Sequence, residues 1–378
     1  MKIFYLTTAQ DSESFATNLS KWSVSPNLSN QNFHNKLIRA IALTHDVNVI
    51  SVRPINRYFA EKSMQKSIKI ENRVIWNYIK VSASKVDKLL FASKRIDNVI
   101  RGIEQNDILF VDTLNLSLIK QAVHIKNKHG CKLIGICTDS PYNISFLTES
   151  YKDNLLSYGR KMDCYVCLTP KINELYNPNK KPFILIDGIT EPNNSYGPFD
   201  DLKIVGNYIF FGGSLMRKYG VYNLIEAYNN INPANIKLII CGHHEEQDLK
   251  EAIEGKNILY LGGLPYEKVC YLEKHSLCAV NPRPIDPTID DYSIPSKTLE
   301  YLANGTITIT VKNNLLYERY GKAILWSKSG SIEDLENALE KAIDLNEKER
   351  ESLINNSLQL INKFTSFEAV NKEIQKLF

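Results

Sequence analysis

Short apolar runs alternate with amphipathic stretches from one end of the chain to the other. Residues 3–7, 46–52, 107–111, 132–137, 163–168 and 183–187 are such runs, each of strand length. Between the first two, Phe33, Leu37, Ile38, Ile41 and Ala42 recur at helical spacing, which predicts a crossover helix over residues 32–43. This is the βαβ rhythm of a parallel sheet. Residues 53–85 are less regular, and an extra hairpin is expected around residues 68–81. Residues 188–201 are dense in Gly, Pro, Asn, Ser and Asp, lack apolar periodicity, and read as an interdomain linker. A second rhythm then starts, with strands predicted at 208–211, 236–241, 258–261, 277–280, 306–311 and 323–326. Helices fit at 222–230, 266–274 and 296–303, and the tail over 332–343 and 347–378 is helical in pattern and charge pairing. No internal repeat or low-complexity segment interrupts the pattern.

The chain has 378 residues, too many for one compact core and suited to two α/β domains. The expected architecture is two doubly wound, Rossmann-like parallel-sheet domains, 1–188 and 189–364, followed by a last helix near 365–378. In open α/β sheets ligands bind at the carboxyl ends of the strands, so chemistry is sought there, in a central cleft shared by the two domains.

Apolar residues make up 43% and charged residues 23%, ordinary globular usage that excludes disorder. A net charge of +4 is small for this length and argues against bulk capture of nucleic acid. The apolar run after Met1 is shorter than a signal segment, and no stretch approaches the roughly 20 apolar residues of a membrane span, so the expected location is the cytoplasm. The basic clusters at 80–95 and at Lys120, Lys126 and Lys128 are compatible with peripheral contact at the inner face of a membrane. Seven cysteines show no pairing logic. Cys164 and Cys167 form the one C-x-x-C, but they sit in an apolar run without a second ligand pair, so they read as buried thiols.

Two segments carry candidate chemistry. In the first, a strand ending at Phe211 runs into Gly212, Gly213 and Ser214, then Arg217, Lys218 and Gly220, then a helix. Glycines let main-chain amides approach an anion, and Arg217 and Lys218 can neutralise a diphosphate as it leaves. A tight turn with solvated cations is the alternative. In the second, Tyr292, Ser293, Ile294, Pro295, Ser296, Lys297 and Glu300 open a helix that leads through Gly305 into a strand. Ser293 is expected to cap this helix, leaving the amides of Ile294, Ser296 and Lys297 to face an anion. Glu300, one turn on, suits two ribose hydroxyls, or else a salt bridge at the surface. Arg283 leaves the strand ending at Val280 and is either a third cation at the site or a solvated loop residue. Asp139 follows the strand 132–137 and either orients an incoming hydroxyl or caps a turn. The polar loop 25–33 either meets the hydroxyls of a ligand or is a simple surface loop. His34, His45, His243, His244 and His275 have no metal-ligand spacing with nearby carboxylates.

Together these segments resemble the donor half of GT-B glycosyltransferases, specifically the retaining family 4 type of bacterial polysaccharide assembly. The resemblance rests on the strand, Gly-Gly turn, basic residue and Gly-led helix over 210–227, on Gly242 at a strand end, on the Gly262-Gly-Leu-Pro265 turn, and on the E-x7-E helix start over 292–305. It implies a C-terminal domain that binds a nucleotide-sugar donor, an N-terminal domain that binds a glycan or lipid-linked acceptor, and a last helix, near 365–378, that crosses back to the N-terminal domain. It also implies transfer of a hexose or N-acetylhexosamine, UDP-linked, with retention, by a cytoplasmic enzyme that is compatible with homo-oligomer formation. The second family Glu is present as Glu300, which inherits the ribose role. The first falls on Tyr292, so amides near Ser293 to Ser296, helped by Lys297, are expected to hold the sugar and phosphate. Tyr219 occupies the family's Lys position before Gly220, which favours Arg217 over Lys218 for phosphate contact. No D-x-D motif occurs, and no divalent metal or other cofactor is expected. Two alternatives remain: a non-catalytic GT-B partner subunit, motivated by the lost Glu, and a GT-B sugar-nucleotide epimerase.

Overall fold

The computed structural model describes residues 1–19, 28–52, 68–79, 92–144, 147–191, 196–202, 204–242, 249–254 and 257–378. They form two compact units: Met1–Ile189 with Asp291–Ser293 and Phe367–Phe378, and Thr190–Asp290 with Ile294–Ser366.

In the first unit, strands β1 (Ile3–Thr7), β2 (Val47–Val52), β3 (Ile68–Glu71), β4 (Val74–Ile79), β5 (Ile108–Asp112), β6 (Lys132–Cys137), β7 (Cys164–Cys167) and β8 (Phe183–Leu185) form one sheet. Its order is β3-β4-β2-β1-β5-β6-β7-β8. All pairs are parallel except β3 with β4, the expected hairpin, which turns through Asn72 at φ 51°, a left-handed conformation Asn tolerates. Residues 80 and 81, also assigned to that hairpin, lie outside the described residues. Successive side chains of β1 enter opposite cores: Phe4 and Leu6 join one, Ile3 and Tyr5 the other. The sheet is therefore covered on both faces, and its strands read as continuous apolar runs for that reason. The crossover helix spans Leu28–Ile41, four residues longer at its start than its apolar stripe indicated, and it absorbs part of the loop assigned to 25–33. Residues 25–27 lie outside the described residues.

The tail pattern over 347–378 resolves into two helices, Glu347–Phe364 and Phe367–Gln375. Thr365 ends the first, and its carbonyl accepts the Thr190 amide at 2.9 Å while the two hydroxyls meet at 2.9 Å. Val370, Ile374 and Leu377 of the last segment are buried in the first unit's core, at about 1.5–3 kcal/mol per side chain. Among the described residues no helix is long and apolar enough to cross a membrane. All seven cysteines are buried thiols.

In the second unit, β9 (Asn207–Gly212), β10 (Ile236–Cys241), β11 (Ile258–Tyr260), β12 (Cys278–Asn281), β13 (Thr308–Val311) and β14 (Ile324–Ser327) form a fully parallel sheet, ordered β11-β10-β9-β12-β13-β14. In both sheets the strand order reverses beside the first strand, between β1 and β5 and between β9 and β12. Those reversals open a crevice at the carboxyl edge, where doubly wound sheets bind ligands.

At the first crevice a buried polar chain closes the end of β5. Tyr5 Oη lies 2.6 Å from His34 Nδ1, and His34 Nε2 lies 3.5 Å from Asp112 Oδ2. Asp112 also accepts from the Leu114 amide at 2.9 Å and from Asn30 at 3.1 Å. Burial disfavours the carboxylate, but His34 and these donors outweigh it and hold the Asp112 carboxyl below its usual range. We predict that Asp112→Asn destabilises the protein by about 2–4 kcal/mol at neutral pH. Because the folded pKa lies below the unfolded one, this stabilisation is complete above the ordinary value of 3.8 and is lost as pH falls through the depressed value. In urea melts the gap between wild type and variant should therefore close in acid, and a gap of constant size down to pH ~3 would contradict this account.

Candidate functional site

The parallel register places the candidate residues of the second unit along one edge. Cys241 pairs with Gly212, and Cys278 and Ala279 pair with Ile209 and Phe210, so β9, β10 and β12 end side by side. Gly212 closes β9, Gly242 follows β10, and Pro282 and Arg283 follow β12.

Two glycines let these ends approach. A methyl group at Gly242, whose φ is 141°, would stand 1.7 Å from the Gly213 carbonyl oxygen. One at Gly220, φ 78°, would stand 2.2 Å from the Pro282 carbonyl oxygen. No other residue type fits either place without moving the backbone. The Gly-Gly turn itself differs from expectation. The Gly212 amide donates to Tyr301 Oη at 3.3 Å and the Gly213 amide to the Cys241 carbonyl at 3.0 Å. Both amides thus join strand ends and helix together rather than pointing at an anion, because a turn packed this tightly has no other way to satisfy buried donors. Ser214 follows on the exposed surface.

Arg217–Tyr219 make a single 3-10 turn, and Gly220 in the left-handed conformation starts the helix Val221–Ile231 with no side-chain cap. The Arg217 guanidinium lies 3.9 Å from the Tyr222 ring centre, which holds it beside that helix start. Lys218 is exposed, its ammonium 5.2 Å from the Tyr219 ring.

The helix Ser296–Ala303 starts at Pro295, and no side chain caps it. Ser293 therefore does not cap the helix as expected: the fixed φ of Pro295 sets the boundary two residues later. Tyr292 and Ser293 are grouped instead with the first unit. There the Thr169 hydroxyl donates to the Asp291 carbonyl at 2.8 Å, and the Tyr292 ring packs on the core that contains Leu155 and Tyr176. Ile294 packs in the second unit on the cluster of Leu299, Leu302 and Tyr320. Asn281 donates to Thr298 Oγ1 at 3.0 Å, tying the helix to the end of β12.

Glu300 is partly buried and pairs with Lys297, Oε2 to Nζ 3.0 Å. Lys297 is thus an ion-pair partner of the carboxylate, not an unengaged cation. Arg283 is likewise engaged: its guanidinium pairs with Asp290, a buried carboxylate that also accepts the Asp286 amide at 2.7 Å. The reading of Arg283 as a solvated residue is overturned, since the buried charge of Asp290 needs a partner. Asp139 lies in the first unit, where it accepts from the Ser140 amide at 2.7 Å and Asn143 at 3.3 Å and stabilises the turn Pro141–Asn143. His243 and His244 lie outside the described residues.

Sequence reasoning missed Glu273, Tyr301 and Asn304. Tyr301 Oη reaches Gly212 from the helix after β12, and Glu273 Oε2 accepts from Asn304 at 2.5 Å. The available signal was a carboxylate set among Val269, Cys270 and Leu272, on the apolar stripe of the helix Tyr266–His275.

Residues 202–359 match the sequence family Glycosyl transferases group 1. A search of curated proteins found no significant match. Among solved structures, the chain is similar to sucrose-phosphate synthase from Thermosynechococcus elongatus at TM-score 0.67 and 12% identity, covering 100% of this chain and 98% of that one. It is similar to HepE from Anabaena in complex with UDP at TM-score 0.70 and 12% identity, covering 100% and 99%. A third is the UDP-forming trehalose-phosphate synthase of Burkholderia xenovorans in complex with glucose-6-phosphate, at TM-score 0.69 and 9% identity, covering 100% and 99%. At these identities the likeness is one of fold. The chain has the GT-B architecture of two parallel-sheet α/β domains. Its second unit carries a group 1 glycosyl transferase domain, and the protein is a glycosyltransferase.

The close approach at Gly242 is directly testable. Gly242→Ala should destabilise the protein by about 3 kcal/mol or more, because both the backbone conformation and the Gly213 contact are violated. Chemical denaturation followed by circular dichroism measures this, and a variant as stable as wild type would mean that the two turns do not pack as described.

Proposed function

We propose that the protein is a retaining hexosyl- or N-acetylhexosaminyltransferase that uses a UDP-linked donor and a glycan or lipid-linked acceptor in cell-surface polysaccharide assembly. The observation that carries this reading is the convergence of two helix starts on the carboxyl edge of the second sheet. The helices Val221–Ile231 and Ser296–Ala303 both begin without a side-chain cap, one beside Arg217 and the other leading to Glu300. Uncapped helix starts offer amides and a positive dipole end to a diphosphate, and a carboxylate one turn away suits a pair of ribose hydroxyls.

In this reading the second unit binds the donor and the first the acceptor. Arg217, steadied on Tyr222, faces the diphosphate, with Lys218 contributing charge from the surface. With Tyr292 in the place of a family Glu and packed in the first unit, the sugar is held by amides at the start of the Ser296–Ala303 helix. The bond from the anomeric carbon to the diphosphate oxygen breaks, and a bond to the acceptor oxygen forms on the same face. The departing diphosphate oxygen takes the acceptor's proton, so no separate base and no divalent metal is required. The solved complex of HepE with UDP supports the choice of base, and that of the trehalose-phosphate synthase with glucose-6-phosphate supports a phosphorylated sugar as one acceptor to try. The expected setting is the cytoplasmic face of the membrane that holds the acceptor.

Calorimetry with UDP, GDP, ADP and CMP, alone and sugar-linked, tests this. UDP should bind selectively, EDTA should change nothing, and Glu300→Ala should weaken binding by about 10- to 100-fold, the value of charge-assisted hydrogen bonds to two hydroxyls. Silence across the panel would sink the proposal. Binding without turnover on any acceptor would instead favour the partner-subunit reading, which the Tyr292 position motivates.

A further inference from the structure

Just before the helix that carries Glu300, the chain leaves the second unit for three residues. Asp290 is held in the second unit by Arg283, and Ile294 packs there on Leu299, Leu302 and Tyr320. Asp291, Tyr292 and Ser293, between them, belong to the first unit. Two contacts hold them there. The hydroxyl of the buried Thr169 donates to the Asp291 carbonyl at 2.8 Å while accepting the Ile172 amide at 3.2 Å, so one side chain both caps the helix Pro170–Tyr176 and fixes the segment. The Tyr292 ring packs on the core that contains Leu155 and Tyr176. The helix Ser296–Ala303 then starts from Pro295 with no side-chain cap of its own.

We propose that Thr169 and Tyr292 are positioning residues for the nucleoside diphosphate: by fixing Asp291–Ser293 in the first unit they order the start of the helix Ser296–Ala303, so that donor affinity in the second unit depends on an anchor in the first. The proposal rests on the reading of that helix start as part of the donor site. The first amides of a helix have no partner within it, so a start without a side-chain cap takes its order from the residues on either side. On the upstream side these are Ile294, packed in the second unit, and the anchored segment before it. Amides ordered in advance bind an anion without a further entropy cost at the moment of binding. The stretch from Asp290 to Pro295 has little slack, since a chain extends by at most about 3.5 Å per residue, and loosening at Asp291 therefore reaches Pro295. Tyr292 stands where the family resemblance expects a Glu. A buried ring at this position acts on the donor through the backbone, where a carboxylate would act by contact.

Two readouts on the full chain test this: hydrogen exchange of the amides of Thr298 to Glu300 in the absence of ligand, and the calorimetric affinity for UDP. Thr169→Val removes the hydroxyl. It should speed exchange at those amides and weaken UDP binding, each by about three- to tenfold, the worth of one hydrogen bond. Thr169→Ser keeps the hydroxyl and should restore both. Thr148→Val controls for lost stability: the Thr148 hydroxyl caps the helix Glu149–Gly159 of the same unit by accepting the Tyr151 amide, and its removal should leave both readouts at wild type. Tyr292→Ala leaves the Thr169 cap in place and should act in the same direction as Thr169→Val, which keeps the test open should Thr169→Val fold poorly. Unchanged exchange in Thr169→Val and Tyr292→Ala overturns the anchor, and faster exchange with unchanged UDP affinity overturns its role in donor binding. An equal effect from Thr148→Val overturns the proposal too, because the effect would then be one of general stability. If wild type does not bind UDP, or Glu300→Ala binds it undiminished, it is the donor-site reading that fails, an outcome distinct from the others because exchange still reports on the anchor.

Discussion

Two backbone contacts set the geometry of the second unit: Gly242 against the Gly213 carbonyl, and Gly220 against that of Pro282. A side chain at either glycine would overlap a neighbouring carbonyl oxygen, at 1.7 and 2.2 Å respectively, so the ends of β9, β10 and β12 close together only because no Cβ intervenes. With the main chain packed this tightly, the amides of Gly212 and Gly213 pair inside the protein. On either side of that edge a helix starts without a side-chain cap. Glycine here shapes a platform rather than lining it.

The charges around that platform follow from the same packing. Among the described residues, Arg283 pairs with the buried Asp290, and Lys297 pairs with Glu300. Such pairs contribute little net stability but strongly penalise the loss of one member, which makes them suited to fixing the position of a group rather than to strengthening the fold. The first unit shows a parallel solution at its own strand-order reversal, where Asp112 is served by a main-chain amide, Asn30 and the Tyr5–His34 chain. In both sheets the reversal leaves a gap between diverging helices, and polar side chains fill it because the main chain there needs partners that the sheet no longer supplies.

Strand and helix identity was legible in the sequence because it depends on neighbours a few positions away. The apolar run at 3–7 became β1 without adjustment, and the apolar stripe at 296–303 became a helix with those bounds. The boundaries that moved did so for tertiary reasons. The helix over 28–41 extends at its polar start because Gln31 and Asn35 bond to the main chain of Gln10, a partner no local pattern reveals. The tail broke into two helices at Thr365 because Thr190 binds there from 175 positions away.

Candidate residues divided along the same line. Gly212, Gly220 and Gly242 could be picked out as backbone positions, because the need for a missing Cβ is written in turn chemistry. Which amides face a ligand could not, since that depends on whether another segment claims them first. Arg217 and Glu300 were visible as charged residues in an ordered context, whereas the binding of Arg283 to Asp290 and the approach of Glu273 to the Lys297 helix were not. By itself the sequence determined two α/β sheets built mainly of parallel strands, and their glycine turns. The tertiary structure decided which charges pair, which donors remain for a substrate and where Tyr292 resides, because those outcomes depend on long-range proximity and on the cost of leaving a buried polar group without a partner.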